Sequence, residues 1–358
     1  MKLFTIGPVQ MYDRTLKIGG QQVPYFRNGA FSDVVLKTKQ GLLKLTNSNE
    51  GDDIVFLTAS GTAAMEATII NCFDENDHLL IINGGSFGHR FCEICDVNKI
   101  SYEPVTLTAE QELTKEMVQE AKVKSTKKIT GVVVNAHESS TGQLYDLKML
   151  SDFAKENDCY FIVDAISSFL ADEINCSTLG IDALILSSQK ALSLAPGLSL
   201  IVLSERMIKE RVNTLPVKNF YMDFKSHLLN GLRGQTPFTP AVRLIYELAD
   251  MVEMLLEIGM ENHIKNVETL AIDFRNKLTA IGLEYPTLPL SNAATTVIFP
   301  NGGAKKAFEV LDKEHGIIVN PNGGEYADKK FRVSHIGNHT IEENTELVEI
   351  IKNVCEGL

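Results

Sequence analysis

The sequence lacks any apolar run that could cross a membrane as a helix, which takes about 20 mostly apolar residues. Its N-terminal stretch, Met1–Pro8, also lacks the long apolar segment of a signal peptide. Internal repeats and low-complexity segments are absent as well. From these absences we expect a cytoplasmic protein with no membrane partner.

Positive charge is scarce relative to negative charge. The chain has 34 lysines and arginines against 46 aspartates and glutamates, which gives a formal net charge of −12. Nucleic acids and anionic membrane surfaces repel such a chain, so we expect neither as a partner. A small anionic ligand is still compatible with the sequence, because a single site can be positive on an acidic protein.

Cysteine is also sparse and scattered, which is typical of reduced, buried thiols in a cytoplasmic protein. Cys92 and Cys95 form a C-x-x-C pair, but neither a second pair nor a histidine cluster follows it, so we expect no metal site. This spacing instead puts two thiols on one face of a helix. The six cysteines are Cys72, Cys92, Cys95, Cys159, Cys176 and Cys355.

The 358 residues are enough for a large core and for two domains. Between about residue 50 and residue 205, short apolar runs alternate with helical patterns, which predicts an α/β domain with a mostly parallel seven-stranded sheet. Nearly continuous apolar runs are typical of strands that are buried on both faces. The predicted strands are Ile54–Leu57, Leu79–Ile82, Ile100–Val105, Gly131–Val134, Tyr160–Val163, Ala183–Leu186 and Leu198–Leu203.

The pattern changes after Thr239, where helical periodicity dominates Leu244–Leu278. We therefore divide the chain into residues 1–251, an N-terminal segment and a large domain, and residues 252–358, a smaller α+β domain. The elements predicted for the smaller domain are strands near Thr295–Phe299 and Phe331–Ser334, a helix near Lys305–His315 and a final helix from Ile341.

Two predicted strands end in residues that suit a particular chemistry. Lys190 follows the strand Ala183–Leu186, and Asp164 follows the strand Tyr160–Val163. The carboxyl edge of such a sheet is where α/β proteins bind their ligands. A lysine can form a Schiff base with a carbonyl, and a carboxylate can keep a pyridine nitrogen protonated. The pair therefore favours pyridoxal 5'-phosphate (PLP) as the cofactor.

Three further strand ends carry motifs with two interpretations each. Ser60-Gly61-Thr62 opens a helix whose N–H groups favour an anion, or it is a simple N-cap. Phe87, within Asn83–Arg90, is a ring packed in its own loop or a platform for a flat cofactor. The cluster His137–Gly142 is a polar loop or part of the same site. His137 lacks the aligned serine and acid of a hydrolase triad.

The order of these motifs resembles the class V aminotransferases, which are PLP enzymes of fold type I. The motifs are Ser-Gly-Thr, Gly-x-Phe-Gly-x-Arg, His-Glu-Ser-Ser-Thr-Gly, Val-Asp-Ala-x-Ser-Ser and Ser-Ser-Gln-Lys-Ala-Leu. The resemblance covers nearly the whole chain, starting at the turn Gly7-Pro8. It is greatest to the branch of serine–pyruvate, alanine–glyoxylate and 2-aminoethylphosphonate–pyruvate aminotransferases.

The resemblance implies a role for each matching residue. Lys190 forms the Schiff base and moves the proton, Asp164 pairs with the pyridine nitrogen, and Phe87 stacks on the ring. Thr239 donates to the cofactor phosphate of the partner subunit, which implies a homodimer with active sites at its interface. Ser139 lies beside the ring. Arg332 and Gly7 bind the substrate, and Arg332 pairs with the substrate's carboxylate. The implied phosphate ligands within the chain are Ser60, Gly61, Thr62 and Gln189.

The sequence departs from the family at two positions. Some relatives carry a tyrosine three residues before the position of Thr239, where this chain has Thr236. That phosphate contact is therefore either absent or supplied by Gln235. The stacking residue is Phe87 where many relatives have tryptophan, a residue that this chain lacks.

The implied function is the transfer of an amino group from serine, alanine or 2-aminoethylphosphonate to a 2-oxo acid such as pyruvate or glyoxylate. One alternative is a lyase like the cysteine desulfurases, which need a cysteine on a mobile loop in the C-terminal half. Only Cys355 follows Cys176. The other alternative is a non-catalytic phosphate- or nucleotide-binding module, which would leave Lys190 and Asp164 without a purpose.

Overall fold

The computed structural model describes residues 1–357. Its strands are β1 Lys2–Phe4, β2 Asp53–Leu57, β3 His78–Asn83, β4 Ser101–Thr106, β5 Gly131–Asn135, β6 His137–Glu138, β7 Gln143–Leu144, β8 Tyr160–Asp164, β9 Ala183–Ser187, β10 Ser199–Leu203, β11 Ala294–Ile298, β12 Ile317–Pro321 and β13 Lys330–Ser334. Its α-helices are α1 Asp13–Gly19, α2 Gly29–Leu45, α3 Gly61–Cys72, α4 Ser86–Asn98, α5 Lys115–Lys124, α6 Leu147–Glu156, α7 Cys176–Leu179, α8 Glu205–Met207, α9 Phe224–Gly231, α10 Val242–Ile258, α11 Met260–Ala280, α12 Ala304–His315 and α13 Ile341–Glu356.

Seven strands form the central sheet, in the order β2-β10-β9-β8-β5-β3-β4. β10 runs antiparallel to both of its neighbours, whereas the remaining pairs are parallel. Each strand predicted for the large domain is found in this sheet, with bounds that shift by one residue at most. The predicted fold, a mostly parallel seven-stranded sheet within an α/β protein, is therefore confirmed.

Both faces of the central sheet are covered, because its strands are apolar at successive positions. Leu80 and Phe161 belong to a buried cluster on one face, and their neighbours Leu79 and Ile162 belong to a cluster on the other. Successive side chains of a strand point to opposite faces. A continuous apolar run therefore fills two cores, which is why these strands show no polar alternation.

A second sheet has four strands in the order β1-β12-β13-β11. β1 is parallel to β12, with Lys2 opposite Ile317 and Phe4 opposite Val319. Neither strand was predicted, because β1 has only 3 residues and its partner is close to the other end of the chain. The N-terminal strand thus lies in a sheet that is otherwise built from C-terminal residues.

The predicted helical stretch Leu244–Leu278 consists of two helices, α10 and α11. They are separated at Gly259, whose φ of 84° lies in the left-handed region that favours glycine. The predicted domain boundary between residues 251 and 252 falls inside α10, and β1 lies in the second sheet. The division into 1–251 and 252–358 therefore stays a prediction.

No helix within residues 1–357 is both long and apolar enough to span a membrane. All six cysteines are free thiols, and only Cys355 among them is not fully buried. Cys92 and Cys95 both lie inside α4. Burial raises the pKa of Cys92 to about 11 and that of Cys95 to about 12, so both thiols stay protonated and act as core residues.

Candidate active site

The carboxyl ends of β9, β8, β5 and β3 lie side by side in the central sheet. Asp164 is the last residue of β8. Lys190, Ser139 and Phe87 follow β9, β5 and β3 respectively. Because neighbouring parallel strands end at the same edge, the sheet order brings these residues to one side of the molecule. The structure therefore collects residues that are about 100 positions apart in sequence.

The Ser60-Gly61-Thr62 turn reaches this edge through α3, which packs on the sheet. A Cβ atom at position 61 would lie 2.7 Å from Ile166 Cδ1 and 3.4 Å from Ser187 Cβ, so any larger residue there would have to displace the Ile166 side chain. Ser60 is the N-cap of α3, and its hydroxyl accepts from the Ala63 N–H at 3.3 Å. The helix start is thereby held against the strands that carry Asp164 and Lys190.

The start of α3 leaves hydrogen-bond donors free. Within residues 1–357, the N–H groups of Gly61 and Thr62 have no acceptor. Gln189 accepts from the Ser187 hydroxyl at 2.6 Å through Oε1, and its amide N–H groups have no acceptor within the same residues. Free N–H groups at a helix start, together with an amide, form a suitable site for a phosphate group.

Lys190 is enclosed at this edge and packs against the N-terminal segment. A Cβ atom at position 7 would lie 2.9 Å from Lys190 Cδ and 3.3 Å from its Nζ, so Gly7 leaves the room that the lysine side chain occupies. Burial lowers the pKa of Lys190 from 10.5 to about 8; the charge of Asp164 opposes this shift and that of Arg332 adds to it. The amine is therefore partly neutral just above pH 7, the form that attacks carbonyl carbon.

Asp164 is the last residue of β8 and is buried, with 5% of its surface exposed. Its Oδ1 accepts from the Ile166 N–H at 2.8 Å, while Oδ2 has no donor within residues 1–357. Burial raises the pKa of Asp164 from 3.8 to about 7, and the charges of Lys190 and Arg90 oppose that rise. A buried carboxylate with a free oxygen suits a cationic N–H donor such as a protonated pyridine.

Phe87 is positioned by Glu138, a residue to which sequence analysis gave no role of its own. The buried carboxylate of Glu138 accepts from the Phe87 N–H at 3.1 Å and from the Gly88 N–H at 3.0 Å. It also accepts from Asn135 Nδ2 at 3.0 Å and from the Ser140 N–H at 3.1 Å. Glu138 therefore caps α4, where a carboxylate is favourable. The signal in the sequence was an acid next to a strand end and ahead of a Ser-Ser-Thr-Gly turn.

Arg332 extends from β13 of the second sheet to the edge of the central sheet. Its Nη1 donates to the backbone oxygen of Ser139 at 2.9 Å, and its buried Nε has no partner within residues 1–357. Burial lowers the pKa of Arg332, and the charge of Glu138 opposes this effect. The guanidinium thus keeps donors for a ligand, and a carboxylate would pair with them.

Two residues of the predicted site do not join this group within one chain. Thr239 is exposed, as a residue that serves a partner subunit would be. The side chain of Gln235 is used within its own chain: Nε2 donates to Phe26 O at 3.1 Å and to Ser32 Oγ at 2.8 Å, and Oε1 accepts from Arg27 at 3.2 Å. Of the two alternatives for the missing tyrosine contact, the structure favours its absence over a substitution by Gln235.

The residues of this edge fit PLP. A helix start with free N–H groups suits the phosphate, a half-buried aromatic ring suits stacking, Asp164 has a free carboxylate oxygen, and Lys190 has a lowered pKa. Cys355, the cysteine that a desulfurase would need, packs instead against the core of the second sheet.

Comparisons with known proteins agree with this geometry. The family model of class V aminotransferases matches residues 24–346. An uncharacterised aminotransferase of Methanocaldococcus jannaschii is 31% identical over 92% of this chain and 86% of its own. Alanine–glyoxylate aminotransferase of Callithrix jacchus is 28% identical over 96% of this chain and 84% of its own.

The fold is also found among solved structures. An aspartate aminotransferase of subgroup IV from Thermus thermophilus has 26% identity and a TM-score of 0.89, covering 100% of this chain and 99% of its own. The chain belongs to the class V aminotransferase family and is a PLP-dependent transaminase of fold type I.

Proposed function

We propose that this enzyme transfers an amino group from a small amino donor (serine, alanine or 2-aminoethylphosphonate) to a 2-oxo acid such as pyruvate or glyoxylate. The observation that carries the proposal is the pair Asp164 and Lys190. Burial raises the pKa of Asp164 to about 7 and lowers the pKa of Lys190 to about 8. Relatives named alanine–glyoxylate and L-aspartate–glyoxylate aminotransferase support glyoxylate as an acceptor.

We infer the following contacts to the cofactor. Phe87 stacks on the ring, Ser139 lies beside it, and Asp164 accepts from its nitrogen. When bound, PLP supplies a carbonyl carbon that can take up an amine and a protonated ring that withdraws electrons. The groups proposed for its phosphate are Ser60, Gly61, Thr62 and Gln189, with Thr239 of the other subunit.

Lys190 has two tasks in this proposal. Its neutral amine would be the group that holds the aldehyde end of PLP, and the lowered pKa supports that task. As a free amine, Lys190 Nζ would accept the proton from the donor's Cα as a general base and deliver it to the cofactor as a general acid. Gly7 leaves room for the Lys190 side chain, since an added Cβ there would lie 2.9 Å from Lys190 Cδ.

Arg332 is proposed to anchor the donor and the acceptor through their carboxylates. Its free Nε and its position beside Ser139 support this assignment. A bidentate pair between a guanidinium and a carboxylate fixes orientation as well as distance. Gly7 is proposed to line the same side of the site. The small domain, residues 252–358, would then contribute the substrate anchor, and residues 1–251 would hold the cofactor.

We further propose a homodimer in which Thr239 reaches the partner's cofactor phosphate. Exposed apolar residues next to Thr239 support a covered surface: Phe220 is 84% exposed, and Phe238 stacks on Tyr221 with ring centroids 5.2 Å apart. Exposed apolar patches of this kind mark interfaces. The six free thiols support a reducing, cytoplasmic location.

A mixed dimer tests the position of Thr239. Lys190→Ala and Thr239→Ala subunits should each be nearly inactive alone. A dimer that combines them has one site with both residues intact, so mixing should restore up to about half of the activity per mixed dimer. If mixing restores nothing although the subunits exchange, Thr239 does not act across an interface.

The activity itself is tested by an absorbance spectrum and a donor panel. The purified enzyme should absorb between about 330 and 430 nm, as expected of bound PLP. Serine, alanine and 2-aminoethylphosphonate should be assayed against pyruvate and glyoxylate. A colourless protein that does not take up PLP would refute the proposed cofactor. A protein that binds PLP but transfers no amino group with any donor–acceptor pair would refute the proposed substrates.

A further inference from the structure

Arg90 connects two parts of the site that the contacts above leave separate. It lies on α4, one turn after Phe87. Its Nη1 donates to Thr62 Oγ1 at 3.2 Å, and its guanidinium carbon lies 4.7 Å from the centroid of the Phe87 ring. One side chain therefore contacts both the turn at the start of α3 and the aromatic ring at the start of α4.

The positive charge of Arg90 is not neutralised within the described chain. Among residues 1–357, Arg90 forms no salt bridge, whereas Arg14, Arg206 and Arg211 each pair with a carboxylate. Its charge nevertheless acts on the site, because it helps to lower the pKa of Asp164 against the effect of burial. An arginine in this position is available to an anionic ligand.

The proposed phosphate ligands are all neutral, and the phosphate is not. A phosphate monoester carries about −1.5 to −2 charges near pH 7. The groups offered by Ser60, Gly61, Thr62 and Gln189 are hydroxyls, backbone N–H groups and an amide. Lys190 is engaged at the aldehyde end. The chain as a whole has a net charge of −12, so a local cation would strengthen the binding of a dianion at the helix start.

We propose that Arg90 is the cation of the cofactor-phosphate site and that it holds Thr62 and Phe87 in place for the cofactor. This inference rests on the proposed function. An arginine suits both tasks, because its planar guanidinium stacks on an aromatic face while its N–H groups donate to oxygen atoms in the plane. One N–H group is used by Thr62, which leaves others for phosphate oxygens.

The test compares PLP with pyridoxal, the same ring without its phosphate. Cofactor-free enzyme and its Arg90→Gln variant are titrated with each compound, and binding is followed by absorbance and by protein fluorescence. We expect Arg90→Gln to weaken PLP binding at least about tenfold, equivalent to about 1.4 kcal/mol. Pyridoxal binding should weaken by a clearly smaller factor, because only the support of the Phe87 ring is lost for that compound. Arg90→Lys should recover part of the loss, because it restores the charge but not the planar contact with Phe87.

Arg206→Gln is the matched control. Arg206 also stacks on an aromatic ring, with its guanidinium carbon 4.4 Å from the Tyr160 centroid, but Tyr160 begins β8 and so lies at the edge opposite Asp164. This variant should bind PLP as tightly as the wild type. Inorganic phosphate should raise the melting temperature of the cofactor-free wild type and of Arg206→Gln, and raise that of Arg90→Gln much less.

Two results would overturn the inference while leaving the proposed function in place. In one, Arg90→Gln binds PLP as tightly as the wild type. In the other, PLP and pyridoxal lose affinity by the same factor, which would make Arg90 a support for the ring only. If the wild-type enzyme itself takes up no PLP, the proposed function and this inference fail together.

Discussion

Replacing Asp164 with asparagine should make the cofactor-free enzyme more stable at pH 8. Burial raises the pKa of this carboxyl from 3.8 to about 7, so above that pH the folded chain holds a carboxylate in an environment that disfavours it. Each pKa unit corresponds to about 1.4 kcal/mol. The cost of keeping Asp164 charged in the empty site therefore approaches about 4 kcal/mol at pH 8.

Proton binding determines whether stability rises or falls with pH. Between pH 3.8 and about 7, the folded chain binds more protons at Asp164 than the unfolded chain does. The free energy of unfolding therefore falls as the pH rises through this window. Asparagine has no charge and removes this dependence. The pKa of about 7 already includes the favourable charge of Lys190. The asparagine N–H groups need acceptors in the same buried place, which offsets part of the gain, so we expect a net gain of about 1–3 kcal/mol at pH 8.

Urea unfolding of the cofactor-free wild type and Asp164→Asn at pH 4, 6 and 8 measures this difference. It should be near zero at pH 4 and grow with pH. Asp152→Asn is the control, because Asp152 lies on the surface and its pair with Lys148 lowers the pKa of this carboxyl instead of raising it. This variant should not gain stability at pH 8. A variant that is less stable than the wild type at pH 8, or a difference that does not change with pH, would refute the reasoning. With PLP bound, the wild type should be more stable than Asp164→Asn. The turnover of Asp164→Asn should be at least tenfold lower than that of the wild type.

Three further substitutions have distinct expected results. Lys190→Ala should abolish transamination and keep the fold, and after borohydride reduction of the wild type the pyridoxyl label should map to Lys190 and to no other lysine. Arg332→Ala should raise KM for serine and alanine by roughly 10- to 150-fold, from the loss of a charge-assisted hydrogen bond of about 1.5–3 kcal/mol, with PLP affinity nearly unchanged; loss of PLP with unchanged KM would contradict the assignment. Gly7→Ala should lower kcat by roughly 5- to 150-fold, because the added Cβ would lie 2.9 Å from Lys190 Cδ and such overpacking costs about 1–3 kcal/mol. Gly29→Ala, where a Cβ meets nothing within 4 Å, is its control and should keep the wild-type kcat.

Local patterns predicted the central sheet because each of its strands is a nearly continuous apolar run. The same patterns could not predict β1, whose 3 residues form a strand only through pairing with β12. The stretch Leu244–Leu278 was compatible with one helix or a pair, and the position of the break at Gly259 could not be predicted because helical periodicity continues on both sides of it. Pairing between distant segments and a single backbone angle leave little trace in local hydrophobicity.

The residues of the candidate site also differ in how well local sequence patterns identify them. Lys190 and Asp164 could be selected as candidates from the sequence, since each is a reactive residue at the end of an apolar strand, and their roles stay predictions. Glu138 and Arg90 could not be assigned, because their roles depend on contacts with the N–H groups of another helix and with the hydroxyl of another turn. Gln235 shows the opposite case: its amide is suitable for a phosphate, but contacts within the chain already occupy it. Side-chain chemistry identifies candidates, and the packing around them decides which are free to act.

The second sheet connects two of these candidates. Gly7 follows β1 and packs on Lys190, while Arg332 lies on β13 and donates to Ser139. Both strands pair with β12, and the Ile6 N–H also donates to Asn320 Oδ1 at 2.6 Å. A movement of this sheet relative to the central sheet would therefore shift the proposed substrate anchor and the packing around the lysine together. A substitution in β12 that shifts this sheet should therefore change both substrate binding at Arg332 and proton transfer by Lys190.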